Sequence, residues 1–469
     1  MERAWTVAAR NLKRNRRRNL ATVAAVALGF AGLIMIGGYG NRVEHFLRTN
    51  AVYLQHSGHV TVYAKGGLYL APAEPLRCQL DPPAQQKLLA WAEKDRRVEF
   101  AARYLRGVGL VGNGCGTFPT MLLGLEPWAL ARVSQHPQVQ KWSAEIAQPD
   151  KGKWLDGYPS MPNPAMVSSG LAKLLQKPRV HDETIGVPPA PTVLHCETAM
   201  RETELAADAN VQLVGINYDG SLSAVDTEMV GTYHPSETLG EDGSMVTSLE
   251  TLQQLLATDR VTYVGLYLRS AEDAQAVAKE VVAAMAKEGI AVDALTYEDE
   301  ESKPYYVGTM AFLGAVAGFI TGLVILVLAL TVLGAMTLTI LERVKEIGTL
   351  RALGFTQRDI TGLVVREAML LSAVGLSAGL VVGLAASSAI NAAGITVDLS
   401  VASTDEIVRL VIEERAHIGL VFQPPHDERL RTHHACAQPI MAQVPASHPL
   451  TELGRPLMMA DLLPYAGAA

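Results

Sequence analysis

Charge is scarce in this sequence: only 19% of its 469 residues are Asp, Glu, Lys or Arg, while 49% are hydrophobic. That balance excludes an ordinary soluble protein, and the length leaves room for two or three units. Cysteine is equally thin. Cys78, Cys115, Cys196 and Cys436 are scattered with no C-x-x-C spacing, which removes zinc-ribbon and thioredoxin-like chemistry. No G-x-x-x-x-G-K-[ST] occurs, so the chain has no P-loop with which to cradle and hydrolyse ATP. H-E-x-x-H, G-x-S-x-G and a well-set pair of carboxylates are missing too, so the sequence reads as a non-enzyme without a cofactor of its own. A net charge of −7, with the basic residues gathered in one place and no helix-turn-helix, argues against nucleic acid as a partner.

What the chain does have is long apolar runs. A helix needs about 20 mostly apolar residues to cross roughly 30 Å of hydrocarbon. Leu20 to Tyr39, about Val307 to Leu338, and Ala368 to Ile390 meet that requirement without a charge at their centres. They predict transmembrane helices over 20–40, 306–338 and 363–392. The first is too long for a signal-peptide core and lacks an A-x-A-like cleavage site, so it reads as an anchor. Arg10, Lys13, Arg14, Arg16, Arg17 and Arg18 precede it, in a lead-in segment 1–19. The positive-inside rule then puts the N-terminus in the cytoplasm and the region 41–305 outside it.

That external region reads as mixed α/β. "HVTVYA", "VQLVGINY" and "VTYVGLYLR" are strand-length runs of β-branched and aromatic residues. "PAQQKLLAWAEK" and "AEDAQAVAKEVVAAMAKEG" have helical periodicity, the second closing on Gly289. Turn clusters "NYDGS" and "GEDGS" separate them, and the region is large enough for its own core, arranged in two lobes. "LVGNGCGTF" around Cys115 lacks the Lys-Ser/Thr of a phosphate loop and reads as a glycine-rich turn between strands. An oxidising compartment leaves a disulfide open among Cys78, Cys115 and Cys196, with at least one unpaired.

The loop 339–362 returns to the cytoplasm and carries the densest charge beside an apolar span. Val344, Ile347 and Leu350 recur at three-residue spacing among Glu342, Arg343, Lys345, Glu346 and Arg351. Gly348 allows close approach of another surface and Gly354 allows a helix end. Amphipathicity alone gives a helix lying on lipid headgroups. However, "ERVKEIGTLRALGFTQRDI" followed by "REAMLLSAVGLSAGLVVGL" resembles the core of the FtsX/MacB-type ABC transporter permeases, whose E-x-x-x-E-I-G-x-L-R-A-L-G element docks on a cytoplasmic ATPase. "AARNLKRNRRRNLATVAAVALGF" is similar to the first helix of that family. "SGHVTVYAKGG" is similar to the strand that opens the external domain in its lipoprotein-releasing LolC/LolE branch, while "MLLGLEPWAL" and "MVSSGLAKLLQ" match later landmarks more loosely.

The C-terminus departs from that pattern. Such permeases have a fourth membrane helix, and beyond about Val397 no run approaches spanning length. Residues 400–469 instead resemble the middle of a LysR-type effector-binding domain, carried by "EIVRLVIEERAHIGLVF" and the "HPL...L.DL" ending. Such a fragment lacks the rest of its sheet, so it reads as a fusion or frameshift, and the cluster His433, His434, Cys436 reads as part of the borrowed segment rather than a metal site.

The resemblance implies a multi-pass protein of the bacterial inner membrane: an α-helical transmembrane region with a large mixed α/β domain inserted between its first and second helices. It implies a permease subunit that couples ATP hydrolysis by a separate ATPase to release or export of a lipophilic substrate such as lipoproteins. A second permease subunit, a periplasmic adaptor or lipoprotein carrier, and the lipid bilayer are the implied partners. Glu342, Val344, Glu346, Ile347, Gly348, Leu350, Arg351 and Gly354 would contact the ATPase. A scaffold of FtsX type that activates an external cell-wall hydrolase is the alternative.

Overall fold

The computed structural model describes residues 16–144, 146–187, 194–197, 201–235, 243–392, 404–412 and 429–430. Most of the lead-in segment, part of "GEDGS", the "HPL...L.DL" ending and His433, His434 and Cys436 lie outside them.

The first apolar run forms helix α1, Arg16–Thr49, and does not stop where the apolar residues do. It passes into a π-helical turn, Asn50–Leu54, whose Ala51, Val52 and Tyr53 are buried in the following domain. The expected span 20–40 therefore covers only part of this helix, which runs on into the domain.

Strand β1 (Val60–Ala64) opens a globular domain. Helix α2, Pro82–Lys94, begins on a proline behind Asp81, whose carboxylate accepts the Ala84 amide hydrogen, and buries Ala84, Leu88 and Ala92 at four-residue spacing. Strands β2 (Val98–Gly112) and β3 (Thr117–Leu125) pair as an antiparallel hairpin, with the Cys115 segment as its turn. There the Asn113 side chain accepts the Cys115 and Gly116 amides, an Asx-type closure. Short helices α3 (Pro127–Ser134) and α4 (Pro137–Trp142) follow, then β4 (Lys151–Gly152), β5 (Pro164–Ser168) and α5 (Ser169–Leu174). Strands β6 (Asn210–Ile216), β7 (Leu222–Tyr233) and β8 (Ser244–Ser248) lead to α6 (Leu249–Leu256), which Ser248 caps. Strand β9 (Tyr263–Leu268), helix α7 (Ala274–Lys287) and β10 (Val292–Thr296) complete the domain. Gly289, at φ +75°, ends α7 where the sequence places its stop.

The strands form one sheet in the order β10-β1-β9-β2-β3-β8-β5-β7-β4, and β6 bridges β2 and β7. Pairing thus closes on itself through β2, β3, β8, β5, β7 and β6, a small barrel with α6 against its strands. Leu252, Leu255 and Leu256 of α6 face Gly107, Gly124 and Gly215. The other end of β2 belongs to an open sheet with β9, β1 and β10, packed by α2 and α7. The two lobes share one strand and one continuous core, in which Tyr104, Tyr263 and Tyr267 are fully buried and the Tyr104 and Tyr267 hydroxyls bond at 2.8 Å. Cys115 and Cys196 are disulfide-bonded, tying the hairpin tip to a chain segment 81 residues away, while Cys78 is free and buried.

Two further apolar helices follow: α8, Pro304–Glu342, and α10, Gln357–Ala392, separated by the short α9, Val344–Ala352. With α1 they are, among the described residues, three helices long and apolar enough to cross a membrane. Each is longer than the sequence run suggests; the 39 residues of α8 extend about 58 Å at 1.5 Å per residue, nearly twice a hydrocarbon core. A separate unit, from Asp398 on, has the helix α11, Thr404–Ile412, among its described residues. The rest of "EIVRLVIEERAHIGLVF" falls outside them.

Candidate functional site

The charged loop is built as a helix between two breaks. The first is at Arg343, whose φ of −103° and ψ of 17° end α8 and start α9 together. The second is a Schellman closure: the Phe355 amide donates to the Leu350 carbonyl and the Gly354 amide to that of Arg351, both at 3.1 Å. Gly354 adopts φ +94°, a left-handed conformation that costs other residues about 1 kcal/mol or more. Thr356 then caps α10, donating its amide hydrogen to Asp359 and accepting that residue's amide hydrogen in return.

Of the residues singled out in sequence, Glu342 closes α8 and is exposed. Val344, Glu346, Gly348 and Arg351 are exposed along α9, and Ile347 and Leu350 are half-buried. A Cβ placed on Gly348 would meet nothing within 4 Å. No residue of α9 is buried, so the helix presents charged and apolar side chains together on an accessible surface.

One partner was missed in sequence. Glu367, ten positions into α10, is 5% exposed, and it receives Arg343 Nη1 at 3.2 Å on Oε1 and 3.4 Å on Oε2. Arg343 Nε lies 4.0 Å from Glu346 Oε2. A charged glutamate at the head of an apolar run is the only sequence signal for it, and its pairing needs the tertiary fold. Removing one partner of a buried pair leaves an uncompensated charge, on the order of 3–5 kcal/mol.

The helices above are joined by a glycine stripe. Gly375, Gly379 and Gly383 of α10 are buried against α1; a Cβ on Gly379 would sit 2.6 Å from the Ala27 carbonyl oxygen. Such small-x-x-x-small spacing lets helix backbones approach in lipid. On its other side α1 receives Leu328 of α8 at Gly29. At the foot of the domain between α1 and α8, α1 and the turn after it are bound by stacking of His45 on Trp142 and of Tyr53 on His136, with ring centroids 4.6 and 4.4 Å apart. Lys303, just before α8, donates to Gln55. A nearby cavity lined by Leu54, His56, Leu130, Trp154 and Tyr233 holds about 40 Å³, room for a few waters and too little for a lipid chain.

Residues 306–412 match the FtsX-like permease C-terminal family. Residues 373–466 match the LysR substrate binding domain; this second match overlaps the first, and its opening part, 373–392, lies in α10. Two uncharacterized ABC transporter permeases of Methanocaldococcus jannaschii are 27% and 22% identical, over 32% and 39% of this chain and 38% and 50% of theirs. The pyoverdine export ATP-binding/permease protein PvdT of Pseudomonas syringae pv. tomato is 38% identical over 19% of this chain and 14% of its own. The chain thus spans half or less of each of these curated relatives. Among solved structures, the extracellular domain of the noncanonic ABC-type transporter YknZ from Gram-positive bacteria aligns over 50% of this chain and 99% of its own, at 11% identity and a TM-score of 0.29. The periplasmic region of MacB from Actinobacillus actinomycetemcomitans aligns over 52% and 92%, at 9% and 0.31. The region from α8 to α11 is therefore similar to an FtsX-like permease segment, and two of these curated relatives are named as ABC transporter permeases.

Proposed function

We propose that this chain is the permease subunit of a bacterial inner-membrane ABC transporter, with α9 as the element that docks on a separate cytoplasmic ATPase. The observation that carries this reading is a short, exposed helix mixing charged and apolar residues, set between two bilayer-length apolar helices inside the segment that matches the FtsX-like family. A loop of this size is too short for chemistry of its own, but it can receive a push and pass it on as a rigid-body change. Glu346 and Arg351 supply polar contacts, Val344, Ile347 and Leu350 fill a groove, Glu342 and Gly354 bound the surface, and Gly348 admits close approach. ATP binding in the partner biases two arrangements of the helices, and the stalk of α1 carries the change to the external domain. A second permease subunit completes the unit. The resemblance of "SGHVTVYAKGG" favours a lipophilic cargo such as lipoproteins, released to a carrier or adaptor outside.

The test is co-purification of a co-expressed ABC ATPase with the full chain in nanodiscs, together with permease-dependent stimulation of ATP hydrolysis. Reversing charge with Glu346→Lys or Arg351→Glu should abolish both, because a like charge in a partly desolvated contact costs on the order of 2–5 kcal/mol. Gly348→Leu should do the same sterically, with membrane insertion unchanged. Wild-type association and stimulation in all three variants would reduce α9 to an interfacial helix.

A further inference from the structure

We infer that the Arg343–Glu367 pair is a positioning bridge that fixes the angle between α9 and α10, so that a push on α9 reaches α1 through α10 as well as along α8. The inference rests on the coupling role proposed for α9. Three observations carry it. Arg343 occupies the bend itself, ending α8 and starting α9, where a non-helical ψ of 17° leaves the direction of α9 unset by helix hydrogen bonds alone. None of the residues of α9 is buried and only Ile347 and Leu350 are half-buried, so side-chain packing alone does not fix that direction either. The bridge does: one guanidinium nitrogen is shared between both carboxylate oxygens of Glu367, and the two side chains are only 12% and 6% exposed.

A buried ion pair is poorly explained by stability, since an apolar pair of similar volume usually does as well. What the charges add is a fixed point of attachment, because a buried cationic nitrogen held between both carboxylate oxygens loses that attraction as α9 swings away from α10. Arg343 also holds something in reserve. Its Nε is sealed from solvent without a hydrogen bond, and Glu346 Oε2 stands 4.0 Å away on the first turn of α9. A tilt of that turn by about 1 Å would bring the carboxylate within hydrogen-bond range. The guanidinium would then join α9 to α10 through Glu346 and Glu367 at once. From Glu367 the route continues into the Gly375–Gly379–Gly383 stripe, where α10 rests on the backbone of α1, and α1 runs unbroken into the buried turn Asn50–Leu54. Glu367 and Arg343 are thus positioning residues.

The experiment measures the angle directly. In the full chain in nanodiscs, with Cys78→Ser and Cys436→Ser and the Cys115–Cys196 disulfide kept, spin labels at Thr349→Cys on α9 and Tyr39→Cys on α1 report a distance distribution. The wild-type pair should give one narrow distance, and Arg343→Lys, which keeps the charge, should preserve it. Glu367→Gln, which keeps the shape but not the charge, should broaden it. On a Glu346→Gln background, which removes the carboxylate a swapped glutamate would face, Arg343→Glu with Glu367→Arg should narrow it again. A Glu367→Gln distribution as narrow as wild type, or a swap as broad as the single variant, overturns the proposal. With a co-expressed ABC ATPase and Mg-ATP, Glu367→Gln should retain co-purification yet lose the ATP-dependent distance shift; a retained shift also overturns it. Should no ATPase associate with the wild type, the coupling function falls, while the distances without ATP still decide whether the pair sets the angle.

Discussion

At Gly379 the backbone of α1 comes so close that any side chain would have to displace it, since a Cβ there lies 2.6 Å from the Ala27 carbonyl oxygen. Gly379→Leu should therefore separate α1 from α10 at a cost of about 1–3 kcal/mol or more, seen as a lower melting temperature in detergent. Gly322→Leu on α8 is the matched control, because its Cβ would meet nothing within 4 Å, and it should leave the melting temperature unchanged. Two histidines set a second residue-scale expectation. His56 and His59 lie where α1 enters the domain, and burial pulls their pKa values down to about 4 and about 3, helped by Arg106 and Lys303 facing His56 and by Arg48 and His136 facing His59. His59 Nδ1 accepts the Leu268 amide, and His56 Nδ1 is sealed without a partner. Unfolded histidines take up protons near pH 6.5, so below that pH the unfolded chain binds more protons than the folded one. Stability should then fall by about 1.4 kcal/mol per pH unit for each histidine from roughly pH 6.5 down to the folded values. Denaturant unfolding at pH 7 and pH 5 measures it, and a His59→Gln variant should show a shallower slope.

Among the elements, the β2–β3 hairpin and α9 depend on constraints of different kinds. The hairpin tip is tethered through Cys115–Cys196 across 81 residues, and such a closure stabilises by roughly 2–4 kcal/mol, chiefly by limiting the unfolded chain. Cys115→Ser should lower the melting temperature of the domain between α1 and α8, and adding reductant to that variant should lower it no further. The stop of α9 depends instead on one left-handed residue. Gly354→Ala should fray its last turn at a cost of about 1 kcal/mol, read as faster amide exchange at Leu353 and Phe355, whereas Ala352→Gly, inside the helix, should act by weaker propensity alone. Sequence reading placed this stop correctly because its signal is local. It could not place Glu367 opposite Arg343, because 24 residues and a reversal of chain direction separate them.

For the whole molecule, the proposed topology places the domain between α1 and α8 on one side of the membrane and α9 on the other. A reporter active only outside the cytoplasm should be active when fused at Gly220, in the turn between β6 and β7, and silent at Gly354. The opposite pattern would invert the assignment of α9 to the ATPase side. Between those two surfaces lies a connected route: α9 to α10 through Glu367, α10 to α1 through glycine contacts, and α1 into the domain through the Tyr53 and His45 stacks. Deleting the chain from residue 400 on should leave this route, expression and the melting temperature of the domain between α1 and α8 unchanged if the tail is a foreign fragment; a lowered melting temperature would show that the tail contributes to the fold.

The three apolar helices, the charged turn between two of them, the strands β1, β6 and β9 and the stop glycines were determined by the sequence alone. Each depends on neighbours within a few residues, through hydropathy, periodicity or a required left-handed φ. Only the tertiary structure decided that β6 closes a barrel between β2 and β7, that Cys196 rather than Cys78 meets Cys115, that α10 seats its glycines on α1, and that Glu367 holds Arg343. In every one of these cases the partners are distant along the chain. Burial, close backbone approach and charge pairing are pairwise energies, and they acquire a value only when folding brings both members together.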